Sequence, residues 1–240
     1  MPVFRLSPDP IFPPPVLAEE NGLLAVGGDL SPERLIAGYQ EGIFPWYSDG
    51  DPILWWSPDP RLVLLPNRLH ISRSLKKTLR QKKFKITFNQ AFPQVMRACA
   101  KVRETSGTWI TEEMMAAYTR LHKLGHAHSV EAWRAVEEEP EEGGSEKNNS
   151  AEKRLELVGG VYGVALGGTF FGESMFYLQR DASKVAFVSL VQRLQEMGYA
   201  LIDCQMTTPH LLSLGAEEIP RSHFLQILYQ TLGQPTTPWG

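Results

Sequence analysis

The run Leu201-Ile202-Asp203-Cys204-Gln205 limits the possible folds more than any other segment. It is short and apolar, and it follows a helical pattern from about Ala182 to Met197 that stops at Gly198. It therefore reads as a strand inside a sheet with a helix packed on it. Side chains alternate along a strand, which predicts that Asp203 and Gln205 share one face. Burying a carboxylate costs several kcal/mol unless something pairs with it, so a chain that keeps one inside a sheet is expected to use it.

The rest of the chain has two textures. From Met1 to about Pro66, turn signals such as Pro13-Pro14-Pro15, Gly27-Gly28 and Ser57-Pro58-Asp59-Pro60 interrupt every apolar run, and one short helix is expected after the cap Ser31-Pro32-Glu33. Residues 1–66 read as a small, loop-rich domain. Beyond them the pattern is regular. Helices are expected at about His70 to Gln81, Pro93 to Arg103 and Thr111 to Leu124. Strands are expected at about Phe84 to Phe88, His128 to Arg134, Leu155 to Leu166, Thr169 to Leu178 and Tyr199 to Cys204, with two short helices at the end. This order predicts an α+β architecture over residues 67–240, with helices packed on a mixed sheet. With 240 residues, 42% of them hydrophobic, the chain can bury a substantial core. The acidic run from Glu137 to Glu142, continuing through Gly143-Gly144-Ser145, interrupts two strand patterns and cannot bury apolar surface. Residues 135–156 are expected to form a flexible acidic insertion in a hairpin.

A net charge of −3 gives no global signal for nucleic acid, but it hides a local patch. Between Arg68 and Lys85 there are eight basic residues and no acidic ones. On a helix, Ile71, Leu75 and Leu79 form one stripe while Arg73, Lys76, Lys77 and Arg80 cluster opposite. An anchored helix presenting one sign of charge suits a phosphate backbone. A solvated face with no ligand is the alternative, although such faces usually mix signs. Cys99 and Cys204 are the only cysteines, far apart in apolar sequence, and are expected to be reduced thiols in a cytoplasmic protein. No metal spacing is found. The N-terminus Met1-Pro2-Val3-Phe4-Arg5 shows neither a basic leader nor an apolar core, and no stretch approaches the roughly 18 apolar residues of a membrane span.

Several blocks, in order along nearly the whole chain, resemble the leucyl/phenylalanyl-tRNA-protein transferases. They include the segment Asn21 to Leu30, Gly42-Ile43-Phe44-Pro45-Trp46, Trp55-Trp56-Ser57-Pro58-Asp59-Pro60-Arg61 and Leu69-His70-Ile71-Ser72-Arg73-Ser74. They continue through Gly107-Thr108-Trp109-Ile110-Thr111, Gly159-Gly160-Val161-Tyr162-Gly163, Gly172-Glu173-Ser174-Met175-Phe176, Asp181-Ala182-Ser183-Lys184 and the Asp203 run. The resemblance implies a small N-terminal domain and a larger GNAT-like acyltransferase domain. It also implies transfer of Leu or Phe, and less well Met, from charged tRNA to proteins with N-terminal Arg or Lys, marking them for degradation. The implied partners are aminoacyl-tRNA and such proteins or peptides, with no cofactor and no membrane, and the chain is expected to act as a monomer.

The implied reaction is aminolysis of the ester that joins an amino acid to the terminal ribose. It needs alignment, loss of a proton from the amine and stabilisation of an oxyanion. Asp203 is expected to accept a hydrogen bond or proton from the amine, Gln205 to orient the ester, and Glu173 to hold a cationic group. By resemblance Trp46 and Trp109 hold the terminal adenosine, while Val161, Phe170, Met175, Leu190 and Ile202 form an apolar pocket for the amino-acid side chain. Strict alternation puts Ile202 opposite Asp203, so only a bulge or splayed strand brings both to one site. Two other readings compete. A coenzyme-dependent N-acetyltransferase needs a pyrophosphate loop at a helix start, and none precedes Ala182. A non-catalytic tRNA-binding module has no use for Asp203, Gln205 and Glu173.

Overall fold

The computed structural model of the chain describes residues 3–103, 107–136 and 154–239. The first part builds a small sheet from β1 (Phe4–Arg5), β2 (Leu23–Val26), β3 (Phe44–Pro45) and β4 (Leu54–Trp56), in the order β1-β2-β4-β3. Helix α1 (Pro32–Gln40) starts as its sequence predicts: the Ser31 side chain accepts from the Arg34 amide, and Pro32 stands in the first turn, where a missing N–H costs nothing.

A larger sheet of seven strands follows, in the order β11-β5-β10-β9-β8-β7-β6. In chain order its elements are β5 (Arg61–Leu64), α2 (Arg73–Arg80), β6 (Lys85–Phe88), α3 (Phe92–Lys101), α4 (Glu112–Lys123), β7 (Ala127–Val136) and β8 (Arg154–Leu166). Then come β9 (Thr169–Tyr177), α5 (Ala182–Glu196), β10 (Leu201–Gln205), α6 (Pro209–Ser213), β11 (Glu217–Ile219) and α7 (Arg221–Leu232). Strand β5 precedes the boundary expected near Pro66 yet lies inside the larger sheet, paired with both β10 and β11. The β9–β10 pair is parallel and the other pairs of this sheet are antiparallel, so the sheet is mixed, as the pattern predicts. Helix α7 exceeds the short closing helix expected. Of the acidic insertion, residues 137–153 lie outside the described residues, while the flanking Val136 and Arg154 pair with each other.

Helices cover both faces. Helix α5 packs on β7, β8 and β9 over one core, and α3, α4 and α7 pack on the other face over a second core shared with the small sheet. Strand alternation divides side chains between them: Tyr162, Val164 and Phe171 belong to the second core, Val161, Ala165 and Phe170 to the first. Helix α3 has no capping side chain of its own at Ala91. Fully buried Glu131 on β7 takes that part, accepting the backbone N–H groups of Gln90 and Ala91 and the hydroxyls of Thr87 and Ser129. Its charge also complements the helix start. No helix among the described residues is long and apolar enough to cross a membrane.

Candidate active site

Strands β9 and β10 run side by side only to the pair Phe171 and Asp203. Beyond that point both are distorted. In the β8–β9 ladder Gly163 faces Gly172 and Tyr162 faces Ser174, which leaves Glu173 as an extra residue. In the β5–β10 ladder Val63 faces Asp203 and Leu62 faces Gln205, which leaves Cys204 as the extra one. Such bulges re-aim side chains. Gly163 is required here, because a Cβ at that position would overlap the Phe171 carbonyl oxygen and the Phe170 ring.

A cleft of about 560 Å³ opens where the two strands part. Glu173 and Gln205 meet on its wall, the Gln205 Nε2 donating to Glu173 Oε1 at 2.9 Å. The Tyr39 hydroxyl of α1 donates to the same oxygen at 2.7 Å, and that of Tyr118 of α4 donates to Oε2 at 3.2 Å. The two hydroxyls also lie within hydrogen-bond reach of each other, and with one proton apiece they fill two of these three contacts at a time. Burial pushes the Glu173 carboxyl up to about 7; the hydrogen bonds of Tyr39, Tyr118 and Gln205 pull it down, while the charge of Asp203 adds to the rise. A carboxyl that titrates near neutrality exchanges protons readily at physiological pH.

Of the residues singled out in the sequence, Trp46, Trp109, Val161, Glu173, Met175, Ile202 and Gln205 line this one cleft. Trp46 is 38% exposed and rests edge-on against Trp56, whose indole N–H donates to the Trp46 carbonyl. Three of the chosen residues are not on the cleft wall. Phe170 and Leu190 are buried in the α5 core behind it. Phe187, one helical turn before Leu190, lines the cleft instead.

Asp203 is the larger correction. It does not share a face with Gln205, because the bulge at Cys204 resets the alternation. It is fully buried and held by both oxygens to Arg61, Nε to Oδ1 at 2.8 Å and Nη2 to Oδ2 at 2.7 Å. The pairing that a buried carboxylate demands is thus met by the sheet, away from the cleft.

The four basic residues Arg73, Lys76, Lys77 and Arg80 of α2 are all exposed, and Leu75 anchors the helix. Thr78 donates to Asp181 at the start of α5 at 3.2 Å, and Lys184 lies 4.0 Å from the same carboxylate. Burial and the Lys184 charge hold the His210 imidazole below its ordinary range, and His210 lines the cleft. The basic helix therefore leads, through the start of α5, to the cleft.

Sequence reasoning missed Tyr39, Tyr118 and Arg61. A signal existed for the tyrosines: each sits on the apolar face of a helix, and a buried phenol needs a hydrogen-bond partner. Cys99 and Cys204 are free and buried, as expected.

Residues 63–140 and 147–229 match the leucyl/phenylalanyl-tRNA protein transferase family, and residues 28–59 match its N-terminal domain. A leucyl/phenylalanyl-tRNA--protein transferase of Magnetococcus marinus is 57% identical over 98% of this chain and 94% of its own. One of Desulfatibacillum aliphaticivorans is 58% identical over 98% and 94%. The solved structure of L-PGS from Bacillus licheniformis aligns over 78% of this chain and 53% of that one, at 12% identity and a TM-score of 0.41.

Proposed function

The chain belongs to the leucyl/phenylalanyl-tRNA-protein transferase family and moves Leu or Phe from charged tRNA to protein, and we propose that it does so in the cleft between β9 and β10. The observation that carries this reading is the contact between Glu173 and Gln205 on two facing bulges, beside two tryptophans and an apolar recess. Trp46 and Trp109 stack the terminal adenine, an interaction worth about 1–3 kcal/mol per base. Val161, Met175, Phe187 and Ile202 receive the Leu or Phe side chain, and the flexible thioether of Met175 adapts to either shape.

The acceptor is a protein whose N-terminal residue is Arg or Lys. Its α-ammonium group, with a pKa near 8, gives its proton to Glu173, which titrates at about 7. A gap of about one pKa unit makes this transfer uphill by only about 1.4 kcal/mol. The neutral amine then attacks the ester carbonyl. A C–N bond forms, the C–O bond to the ribose breaks, the second proton shed by the attacking nitrogen ends on the ribose oxygen, and Glu173 releases its own proton to solvent. Gln205 Nε2 gives one N–H to Glu173 and has a second to offer the carbonyl oxygen as charge develops there.

Arg73, Lys76, Lys77 and Arg80 take the tRNA backbone and supply sequence-blind affinity. The protein works as a cytoplasmic monomer, where charged tRNA is available. To test the reading, the protein is incubated with Phe-tRNA and a peptide beginning with Arg, and mass spectrometry looks for one added Phe at the peptide N-terminus. No added Phe, or acetylation from acetyl-coenzyme A in its place, overturns it.

A further inference from the structure

Arg61 is buried beside the cleft but does not line it. Its guanidinium carbon lies 4.9 Å from the Phe44 ring and 4.5 Å from that of Phe224, so the cation is held between two aromatic faces. Phe44 belongs to the cleft wall that carries Trp46. On its other side Arg61 grips Asp203, and Asp203 Oδ1 accepts the backbone N–H of Gln205 at 2.9 Å. Gln205 itself has φ 61, a left-handed conformation that a non-glycine residue adopts only when its surroundings hold it there. The strain sits at the residue whose amide reaches Glu173.

From these contacts we propose that Arg61 is a positioning residue for the transfer reaction: through Asp203 it fixes the bulge that presents Gln205 to the cleft. The inference rests on reading the cleft as the transfer site. A purely stabilising role fits less well, since a buried ion pair is often replaced by apolar residues without loss of stability. Moreover, Arg61 Nη1 has no hydrogen-bond partner among the described residues, so the pair is not fully satisfied. Asp203 touches no reacting atom in this arrangement. It orients Gln205 by accepting its N–H.

The test compares kcat and KM of Phe transfer for the wild type, Gln205→Ala, the double variant Arg61→Met with Asp203→Leu, and all three changes together. The double variant removes both charges at once, because either single change strands a buried charge. The double variant is expected to lose about 100-fold in kcat, with KM for Phe-tRNA held within a few-fold. Adding Gln205→Ala should then cost less than about 3-fold more, the non-additivity of residues acting as one unit. Equal losses from Gln205→Ala in both backgrounds overturn the inference, as does a double variant with wild-type kcat. If that variant does not fold, Arg61→Lys, which keeps the charge but loses the two-pronged grip on Asp203, decides: lower kcat with KM for Phe-tRNA and the pH profile unchanged supports positioning, and wild-type kcat overturns it. Failure of the wild type to transfer Phe overturns the reading of the cleft, and the inference with it. Transfer with independent losses overturns the inference alone.

Discussion

Glu131 and Glu173 are the same residue on the same sheet, and their surroundings give them opposite characters. Glu131 is fully buried between β6 and α3, and its four donors belong to the scaffold: two backbone amides and two short hydroxyls. Glu173 sits on a bulge at the cleft wall, and its donors are two phenols and a carboxamide carried by three separate elements. Burial lifts its carboxyl to about 7 despite those hydrogen bonds. What separates the anchor from the reactive group is thus whether an outside molecule can reach the carboxylate: Glu131 is sealed off, whereas Glu173 is half-buried on the cleft wall.

The largest expected effect breaks this pair apart by activity. Glu173→Gln should reduce Phe transfer by about 1000-fold, the range seen when a general base is removed, while thermal unfolding changes little. Initial rates and melting curves on the same preparation check it. A variant with transfer within tenfold of wild type removes Glu173 from proton transfer. Next in size, Glu131→Ala should do the reverse. It leaves four buried donors without their acceptor, and each such group costs about 1–3 kcal/mol. With relaxation, a drop of about 4 kcal/mol in denaturant-measured stability is expected, with kcat per folded molecule unchanged.

A smaller and more specific effect concerns pH. Glu173 ordinarily titrates near 4.5 and in the folded protein near 7, so between those values the folded state binds more protons than the unfolded one. Stability therefore falls as pH rises through this window, by at most about 3 kcal/mol, and the fall is complete above pH 7. Subtracting the Glu173→Gln curve from the wild-type curve isolates this slope from other carboxylates, and a flat difference would contradict the assigned environment. The transfer rate should run the other way, rising through about pH 7 as Glu173 becomes able to accept a proton.

Much of this was legible in the sequence, and the gaps share a physical cause. Helices α3, α4 and α5 and the β7–β8–β9 meander follow from local periodicity and caps, because one apolar face repeats over many residues. The cleft residues Trp46, Trp109, Glu173 and Gln205 came from motif resemblance and converge. The orientation of Asp203 did not follow, since a single inserted residue at Cys204 inverts every alternation after it. Nor was Arg61 legible as its partner, because the pairing spans 142 positions and no local pattern encodes it. Tyr39 and Tyr118 stand on apolar helix faces, where nothing local tells a core phenol from one that donates to a carboxylate on a distant strand.

The smallest effect asks whether the contrast between the two glutamates is local to the cleft. If proton transfer depends only on Glu173 and its neighbours, charge on α2 should alter tRNA binding without touching the pH profile. Arg73→Ala with Lys77→Ala removes two cations from a helix anchored by Leu75 on its other side, so the fold should hold. Removing one cation from a phosphate lowers the slope of log affinity against log salt by about 1, so the slope should flatten by about 2. KM for Phe-tRNA should rise most at low salt, where phosphate pairing is strongest. The rate limb near pH 7 should stay in place, because α2 contributes no group to the Glu173 cluster. A shift of that limb together with the salt slope would mean that the basic surface and the proton-accepting site are electrostatically coupled, and the boundary between them would have to be redrawn.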